Sequence, residues 1–205
     1  MECNVIYLHF LCHSQKSAVC NIKCTLANIS DTLGIPSLPT LLSNFLHEQL
    51  TIKDLNAPFM GKVFLYPSAV AMYYAPSDKS GIGRMLHEWI QSIGSWYGGP
   101  PRHDCIFISH DENLPSFRGL YVGQVLALLR VVTVEKIKYP AALISLFETT
   151  KDHPCLLMNM WKVQQVLDNA GKHMLKIVHL DTMFHGAHLV GGSYTSPWCI
   201  QDFLH

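Results

Sequence analysis

The clearest helical pattern in the chain runs from Leu38 to Leu50. Between these ends, apolar residues recur at intervals of three and four, at Leu42, Phe45 and Leu46. This spacing places them on one stripe of a helix, and Pro39 is tolerated because it falls in the first turn. The pattern therefore predicts a helix over about residues 38–50.

A second stretch with helical spacing lies between Gly83 and Ile93. Its apolar residues occur at helical intervals, at Leu86, Trp89, Ile90 and Ile93. Ser80-Gly81 precedes the stretch and Gly94 follows it, and such residues are typical of element boundaries. We therefore predict a short amphipathic helix here.

Two shorter apolar runs lie between these predicted helices. Val63–Tyr66 follows Gly61 and is rich in residues that favour strands, so it predicts a strand. Ala69–Tyr74 is apolar throughout and ends before Pro76, which restricts the backbone of the residue before it. The pattern of this second run fits a helix and a strand equally well.

The second half of the chain has a β-like pattern after the break at residues 98–101, Gly-Gly-Pro-Pro. Five strands are predicted, at Cys105–Ser109, Gly119–Glu135, Lys138–Phe147, Met160–Val166 and Lys176–Leu180. Only a short charged connection separates the two longest strands, so an antiparallel hairpin is favoured over a parallel crossover.

The organisation of the chain follows from these elements. The first 24 residues hold four of the seven cysteines and contain no proline or glycine. We interpret residues 1–34 as an appendage that is poorly ordered or forms a short helix or strand. Residues 35–100 are interpreted as a helical segment, residues 101–192 as a β-rich domain and residues 193–205 as a tail. The predicted class is α+β, with N-terminal helices followed by a small antiparallel β-sheet or partly open barrel.

Composition limits the classes of function. Of the 205 residues, 49% are hydrophobic and 15% are charged, which supplies enough apolar surface for a packed core and argues against intrinsic disorder. Fifteen basic and fifteen acidic residues cancel, so contact with nucleic acid must be local. The low charged fraction also suggests that a partner, or sequence missing from this chain, covers part of the apolar surface.

The seven cysteines are an odd number in a chain too long to need a disulfide scaffold, so we expect reduced thiols and an intracellular location. Glu2 and His9 argue against a secretory signal in the first residues. No apolar run approaches the roughly 20 residues that span a bilayer, so no membrane partner is expected.

Twelve histidines and seven cysteines make metal binding the sharpest chemical hypothesis. His179, His185 and His188 could bind one metal ion if they shared a face, which would be consistent with a small metal-dependent hydrolase. The competing interpretation is that His179 caps nearby backbone and His188 packs against the sheet. A zinc site among the N-terminal cysteines lacks the paired spacings of zinc modules, and no cofactor is expected.

The run Arg102-His103-Asp104-Cys105 is the nearest approach to a nucleophilic site. In a strand, adjacent side chains point to opposite faces, so this run alone cannot form a catalytic triad. No nucleophile elbow or phosphate loop is present either. We therefore expect neither enzyme activity nor a small-molecule substrate.

For nucleic-acid binding, the candidates are arginines interleaved with aromatic residues, namely Arg84, Arg102, Arg118 and Trp96. Arginine can pair with phosphates while aromatic rings stack on bases or sugars. The alternative is that the arginines pair with nearby carboxylates, among them Asp104, and that the aromatic rings are structural.

Ten short sequence motifs follow one another along the chain. They are Tyr74-Ala75-Pro76-Ser77-Asp78, Ser80-Gly81-Ile82-Gly83, Ser95-Trp96, Gly99-Pro100-Pro101-Arg102, Asp104-Cys105-Ile106-Phe107, Phe117-Arg118-Gly119-Leu120, Tyr139-Pro140, Met160-Trp161, His179-Leu180-Asp181-Thr182 and Ala187-His188-Leu189. In this order they resemble the C-terminal region that follows the catalytic domain in Plavaka-like transposases of mushroom-forming fungi, within the Kyakuja-Dileera-Zisupton group related to CACTA elements. The resemblance covers about residues 35–192.

The resemblance implies a parent transposase whose RNase H-like domain carries the metal-binding carboxylates upstream of this region. The chain is then expected to be a truncated, non-catalytic accessory module in the nucleus, with DNA, chromatin or another transposase-derived chain as its partner. No catalytic residue carries over. Leu86–Gln91 stands where the family has a basic run, which weakens an inherited DNA contact and leaves a decayed relic without function as an alternative.

Overall fold

The computed structural model describes residues 5–9, 25–50, 59, 61–74, 85–95, 98–109, 119–191 and 198–200. Its helices are α1, Leu26–Leu33, and α2, Leu38–Leu50. Its strands are β1 Val5–His9, β2 Lys62–Tyr66, β3 Ser68–Tyr74, β4 Met85–Ile93, β5 Arg102–His103, β6 Cys105–Ser109, β7 Leu120–Val132, β8 Lys138–Thr149, β9 Trp161–Gln165, β10 Leu175–His179, β11 Met183–Ala187, β12 Leu189–Val190 and β13 Trp198–Ile200. A 3-10 turn, Leu180–Thr182, joins β10 to β11.

Helix α2 has the bounds that its apolar stripe predicts. Helix α1 lies in the interval interpreted as an appendage, and its ends have capping groups. The hydroxyl of Thr25 accepts a hydrogen bond from the Asn28 amide at 3.4 Å, and Gly34 ends the helix with φ 65°. Among the described residues, no helix has the length and apolar character needed to span a bilayer.

The helix predicted from Gly83 to Ile93 is wrong, because the segment forms strand β4. A helix would place Trp89 and Ile90 on one apolar face, whereas in β4 Trp89 is 39% exposed and Ile90 is 1% exposed. Seven consecutive positions of β4 pair with β3, and this tertiary pairing overrides the helical spacing. The run at Ala69–Tyr74, undecided from sequence, is therefore a strand.

The secondary structure expected for two of the intervals also needs correction. Residues 35–100 are not a helical segment, because β2, β3 and β4 belong to the sheets. The interval 193–205 is not only a tail, since β13 pairs with β9 through Trp198–Val163 and its neighbours. The expected class is confirmed: two helices precede a mainly antiparallel, nearly barrel-shaped sheet.

The sheet is built around the antiparallel hairpin of β7 and β8, which confirms the predicted pairing. On the outer edge of β7, β6 pairs with the first half of the strand and β2 with the second half. On the outer edge of β8, β10 pairs with the middle of the strand and β9 pairs with its end. Each long strand is thus flanked by two short strands that lie end to end.

A second sheet closes the structure on one side. Strand β2 continues into β3 at Pro67, and β5 continues into β6 at Asp104. Because β3 pairs with β4 and β4 pairs with β5, the pairing leads from β7 through β2, β3, β4, β5 and β6 back to β7. This circuit gives the structure its barrel-like form.

A β-bulge at Leu126 sets which side chains of β7 face which core. The register shifts between Val125 and Ala127, so the alternation of faces is offset there by one residue. Val125 and Leu128 face the core inside the barrel, which also contains Ile90, Ile106 and Ile144. Ala127, Leu129 and Val131 face the helices, whose Ile29, Leu42 and Phe45 are buried against them.

A side-chain hydrogen bond joins the two sheets through residues that lie far apart in the sequence. Glu88 of β4 accepts a hydrogen bond from the backbone amide of Gly186 in β11, with Oε2 to N at 2.7 Å. A Cβ atom at Gly186 would lie 2.5 Å from Glu88 Oε1. An alanine at position 186 therefore forces the Glu88 carboxylate, the end of a flexible side chain, to move away from the amide.

We expect Gly186→Ala to lower the free energy of unfolding by about 1.5–3 kcal/mol, because it displaces the Glu88 carboxylate and leaves an amide without its charged acceptor. Urea denaturation should show a much smaller effect of Gly186→Ala when Glu88→Ala is already present. Gly94→Ala is the matched control, since nothing lies within 4 Å of a Cβ there. Equal costs in both backgrounds would contradict the proposed contact.

Candidate functional site

Two rows of paired residues cross the sheet near the β7–β8 turn. Val132 pairs with Lys62 on one side and Lys138 on the other, and Arg130 pairs with Phe64 and Pro140. Directly paired residues of an antiparallel sheet project to the same face, and alternate residues share a face. Lys62, Arg130 and Lys138 therefore lie on one face, which we call the basic face.

Arg130 is the centre of the basic face. Its guanidinium carbon lies 4.9 Å from the ring centroid of Phe64 and 5.2 Å from that of Tyr66. These cation–π contacts hold the side chain over two rings. Burial raises the pKa of the Tyr66 hydroxyl and the charge of Arg130 partly offsets this shift, so Tyr66 remains neutral and supplies no counter-charge.

The charges of the basic face are not neutralised within the described part of the chain. The side-chain contacts between basic and acidic groups found there join Arg102 to Asp104 and His179 to Asp181, the second being an ion pair only when the imidazole is protonated, and neither involves the basic face. Among the described residues, the buried Nε of Arg130 also has no hydrogen-bond acceptor. Strand spacing places the three cations within about 10 Å of one another along the backbone. A local positive field can therefore form although the whole chain is neutral.

Sequence reasoning missed this face, although β7 carries a usable signal. Arg130 is the single charged residue in the otherwise mostly apolar strand Leu120–Val132. A charge at such a position is unusual and points to a specific role. Lys62 and Lys138 could not be added from sequence, because their place beside Val132 depends on the strand register.

The arginine candidates from sequence are placed differently. Arg84, Trp96 and Arg118 lie outside the described residues. Arg102 Nε donates to Asp104 Oδ1 at 2.9 Å, and its Nη2 lies 3.3 Å from Asp104 Oδ2. The same carboxylate accepts a hydrogen bond from the Gln91 amide at 2.9 Å. Arg102 thus forms the carboxylate pair that the alternative interpretation predicts, and its charge is largely compensated.

The histidine candidates do not form a shared site. The Nδ1 atom of His179 accepts a hydrogen bond from the Asp181 amide at 3.2 Å and caps the 3-10 turn. His185 donates from Nδ1 to its neighbouring Gly186 carbonyl at 2.8 Å, and its ring packs edge-on against Phe107. His188 is exposed after β11. Within the described residues, no group of three histidine, cysteine or acidic side chains is arranged to hold a metal ion.

A serine–histidine contact that the sequence did not reveal joins β4 to β5. The Nδ1 atom of His103 lies 3.1 Å from Ser92 Oγ and 3.0 Å from the carbonyl oxygen of Val125. A carbonyl only accepts, so Nδ1 must carry the proton and cannot remove one from Ser92. The contact borders a cavity of about 410 Å³ between α1 and the sheets, and it holds strands together rather than activating a nucleophile.

Two cysteines differ sharply in their surroundings. Burial, with a smaller contribution from the negative charge of Asp104, raises the pKa of the Cys105 thiol to about 12. Hydrogen bonds from the backbone amides of Leu157 and Met158 lower the pKa of the Cys155 thiol, and nearby lysines contribute. Cys105 is therefore unsuited to act as a nucleophile near neutral pH.

Alkylation of the native protein with iodoacetamide at pH 8 should modify Cys155 at least about a hundredfold faster than Cys105, because only the thiolate reacts. Peptide mass spectrometry measures each rate separately. In urea the two rates should converge, since burial and the turn geometry are lost. Similar rates in the native protein would contradict the assigned environments.

Comparison with protein-family models, curated proteins and solved structures gives no match for this chain. A fold by itself does not specify an activity, and sites of many kinds occur on similar sheets. A proposal about function therefore depends on the placement and chemistry of the chain's own residues.

Proposed function

We propose that this chain is a non-catalytic nucleic-acid-binding module of a transposon-derived protein. The ordered strings that resemble the C-terminal region of Plavaka-type transposases support this origin. The basic face supports the binding role. In this proposal the module acts in the nucleus and contacts DNA through its phosphates. The catalytic domain is carried by another polypeptide or by another part of the parent protein.

The observation that carries the proposal is that Arg130 has no carboxylate partner among the described residues. Partial burial of a charge costs free energy unless a counter-charge compensates for it. Phe64 and Tyr66 keep the guanidinium in place, and its terminal nitrogens can bind a phosphate in two-pronged fashion. Lys62 and Lys138 flank it as point charges, so the three residues can contact neighbouring phosphates.

A binding role also agrees with the chemistry of the other candidates. The Nδ1 atom of His103 that faces Ser92 carries a proton, so it cannot remove one from the hydroxyl. Burial raises the pKa of the Cys105 thiol, so it is not a nucleophile near neutral pH. Of the three histidines considered for a metal-dependent hydrolase, His179 and His185 make separate local contacts and His188 is exposed. Within the described part of the chain, these contacts support a module that binds rather than one that catalyses.

We expect Lys62→Gln and Lys138→Gln each to weaken binding of a fluorescein-labelled 20-base-pair duplex, measured by anisotropy over a range of salt concentrations. Each lost phosphate contact should reduce the slope of log affinity against log salt by about 0.9. Arg130→Gln should have a larger effect on affinity, because it removes the central cation. Binding should depend little on duplex sequence, since phosphates are the same in all sequences.

The matched control is Lys172→Gln, which removes an exposed lysine from a different turn. Circular dichroism should show that all variants are folded. If the double variant Lys62→Gln/Lys138→Gln binds with unchanged affinity and slope, the proposal is wrong. If Arg102→Gln alone reproduces the loss, the contact lies at β5 and not on the basic face.

A further inference from the structure

A gap in the strand pairing lies on the outer edge of β7. Strand β2 leaves this edge at the pair Tyr66–Leu128. Strand β6 joins it at the pair Cys105–Gln124. The two pairings are about 13 Å apart along β7, because each residue of a strand advances the chain by about 3.3 Å. The bulge at Leu126 lies in this interval, so the gap follows from the strand register.

The cavity of about 410 Å³ between α1 and the sheets lies at this gap. Four half-buried apolar side chains line it: Leu33 at the end of α1, Ile35 just after it, Leu65 of β2 and Leu126 of the bulge. Each of them packs on one side against the core under the helices. Cavities that bind small molecules have volumes of about 300–1,000 Å³ and mainly apolar walls. The size and the walls of this cavity fit that description.

Ser92 and His103 bring polar groups to the wall of the cavity. The Nδ1 atom of His103 carries a proton, because it lies 3.0 Å from the Val125 carbonyl oxygen, which can only accept. The Oγ atom of Ser92 lies 3.1 Å from the same Nδ1 and can therefore only accept from it. The hydroxyl hydrogen of Ser92 remains able to donate, and no acceptor for it is found in the part of the chain that the structure describes. A donor of this kind on an apolar wall favours a ligand with a hydrogen-bond acceptor.

The charge of the wall narrows the class of ligand further. The described lining residues include no aspartate, glutamate, lysine or arginine. A charged ligand would lose its hydration in the cavity without gaining a counter-charge, which is unfavourable. The cavity therefore selects neutral molecules, whereas the basic face selects anions.

We propose that this cavity binds a small neutral molecule that is mainly apolar and has one accepting oxygen, as a ketone does. Its hydrocarbon part contacts the four apolar side chains, and its oxygen accepts the hydroxyl hydrogen of Ser92. His103 is a positioning residue, because its Nδ1 proton faces Oγ and leaves Ser92 as the donor. The inference goes beyond the proposed function, since it concerns another ligand class and another part of the fold.

The test uses the fluorescent naphthyl ketone prodan, whose emission moves to shorter wavelength when the dye leaves water. Titration of the intact protein should show binding with a dissociation constant in the micromolar range. A naphthyl methyl ketone should displace the dye. Its isopropenyl analogue, in which a methylene group replaces the oxygen, should do so about tenfold less well, because it cannot accept a hydrogen bond. The naphthoate anion should also be a much weaker competitor.

Ser92→Ala should weaken binding of the ketones about tenfold and leave binding of the isopropenyl compound unchanged. Ser43→Ala is the matched control, because this serine lies on α2 and donates to the Pro39 carbonyl instead. Leu156→Ser/Leu157→Ser tests a competing apolar surface, since these two leucines are 94% and 95% exposed, and it should leave prodan binding unchanged. Circular dichroism should show that each variant is folded.

Equal displacement by the ketone and its isopropenyl analogue would overturn the inference, and this comparison needs no substituted protein. Failure of prodan to bind, or displacement by naphthoate as effective as that by the ketone, would also overturn it. So would unchanged ketone affinity in folded Ser92→Ala, or loss of prodan binding in Leu156→Ser/Leu157→Ser. Ser92→Ala should bind the labelled duplex as the unsubstituted protein does, which separates the failure of this inference from the failure of the proposed function.

Discussion

The antiparallel pairing of β7 with β8 is the interaction on which the rest of the structure depends. The two strands pair at ten positions, and their outer edges accept four shorter strands. The bulge at Leu126 interrupts this pairing once and offsets the alternation of faces, so one strand contributes to the core inside the barrel and to the layer under the helices. Loss of the hairpin would remove the edges with which four strands pair and the residues against which the helices are buried.

The same hairpin determines where charge can collect. Its turn end carries Arg130 between two lysine-bearing edges. Basic and acidic residues are equal in number along the chain, so a whole-chain view shows no attraction to any charged partner. A cluster of like charges at one end of the hairpin still gives a local field, and local fields matter because salt screens charges beyond about 10 Å.

Much of the fold could be predicted where pattern and pairing agree. The stripe from Leu38 to Leu50 predicts α2, and the strand runs from Cys105 onward correspond to β6 through β10. Strand β4 was mispredicted because its apolar residues also fit a helical period, and pairing with β3 decided the outcome. The candidate site was harder to predict. Only the strand register shows that two of its three cations, Lys62 and Lys138, lie beside Arg130.

The sequence by itself determined the α+β class, the long hairpin and the absence of a whole-chain charge, because these depend on local periodicity, turn residues and composition. Only the tertiary structure decided that Arg102 is paired with Asp104 while Arg130 has no carboxylate partner among the described residues. It also decided that the three histidine candidates lie in separate environments. The physical reason is that ion pairs, ligand groups and aromatic contacts depend on distances between strands, and register and bulges set those distances far beyond the range of local sequence patterns.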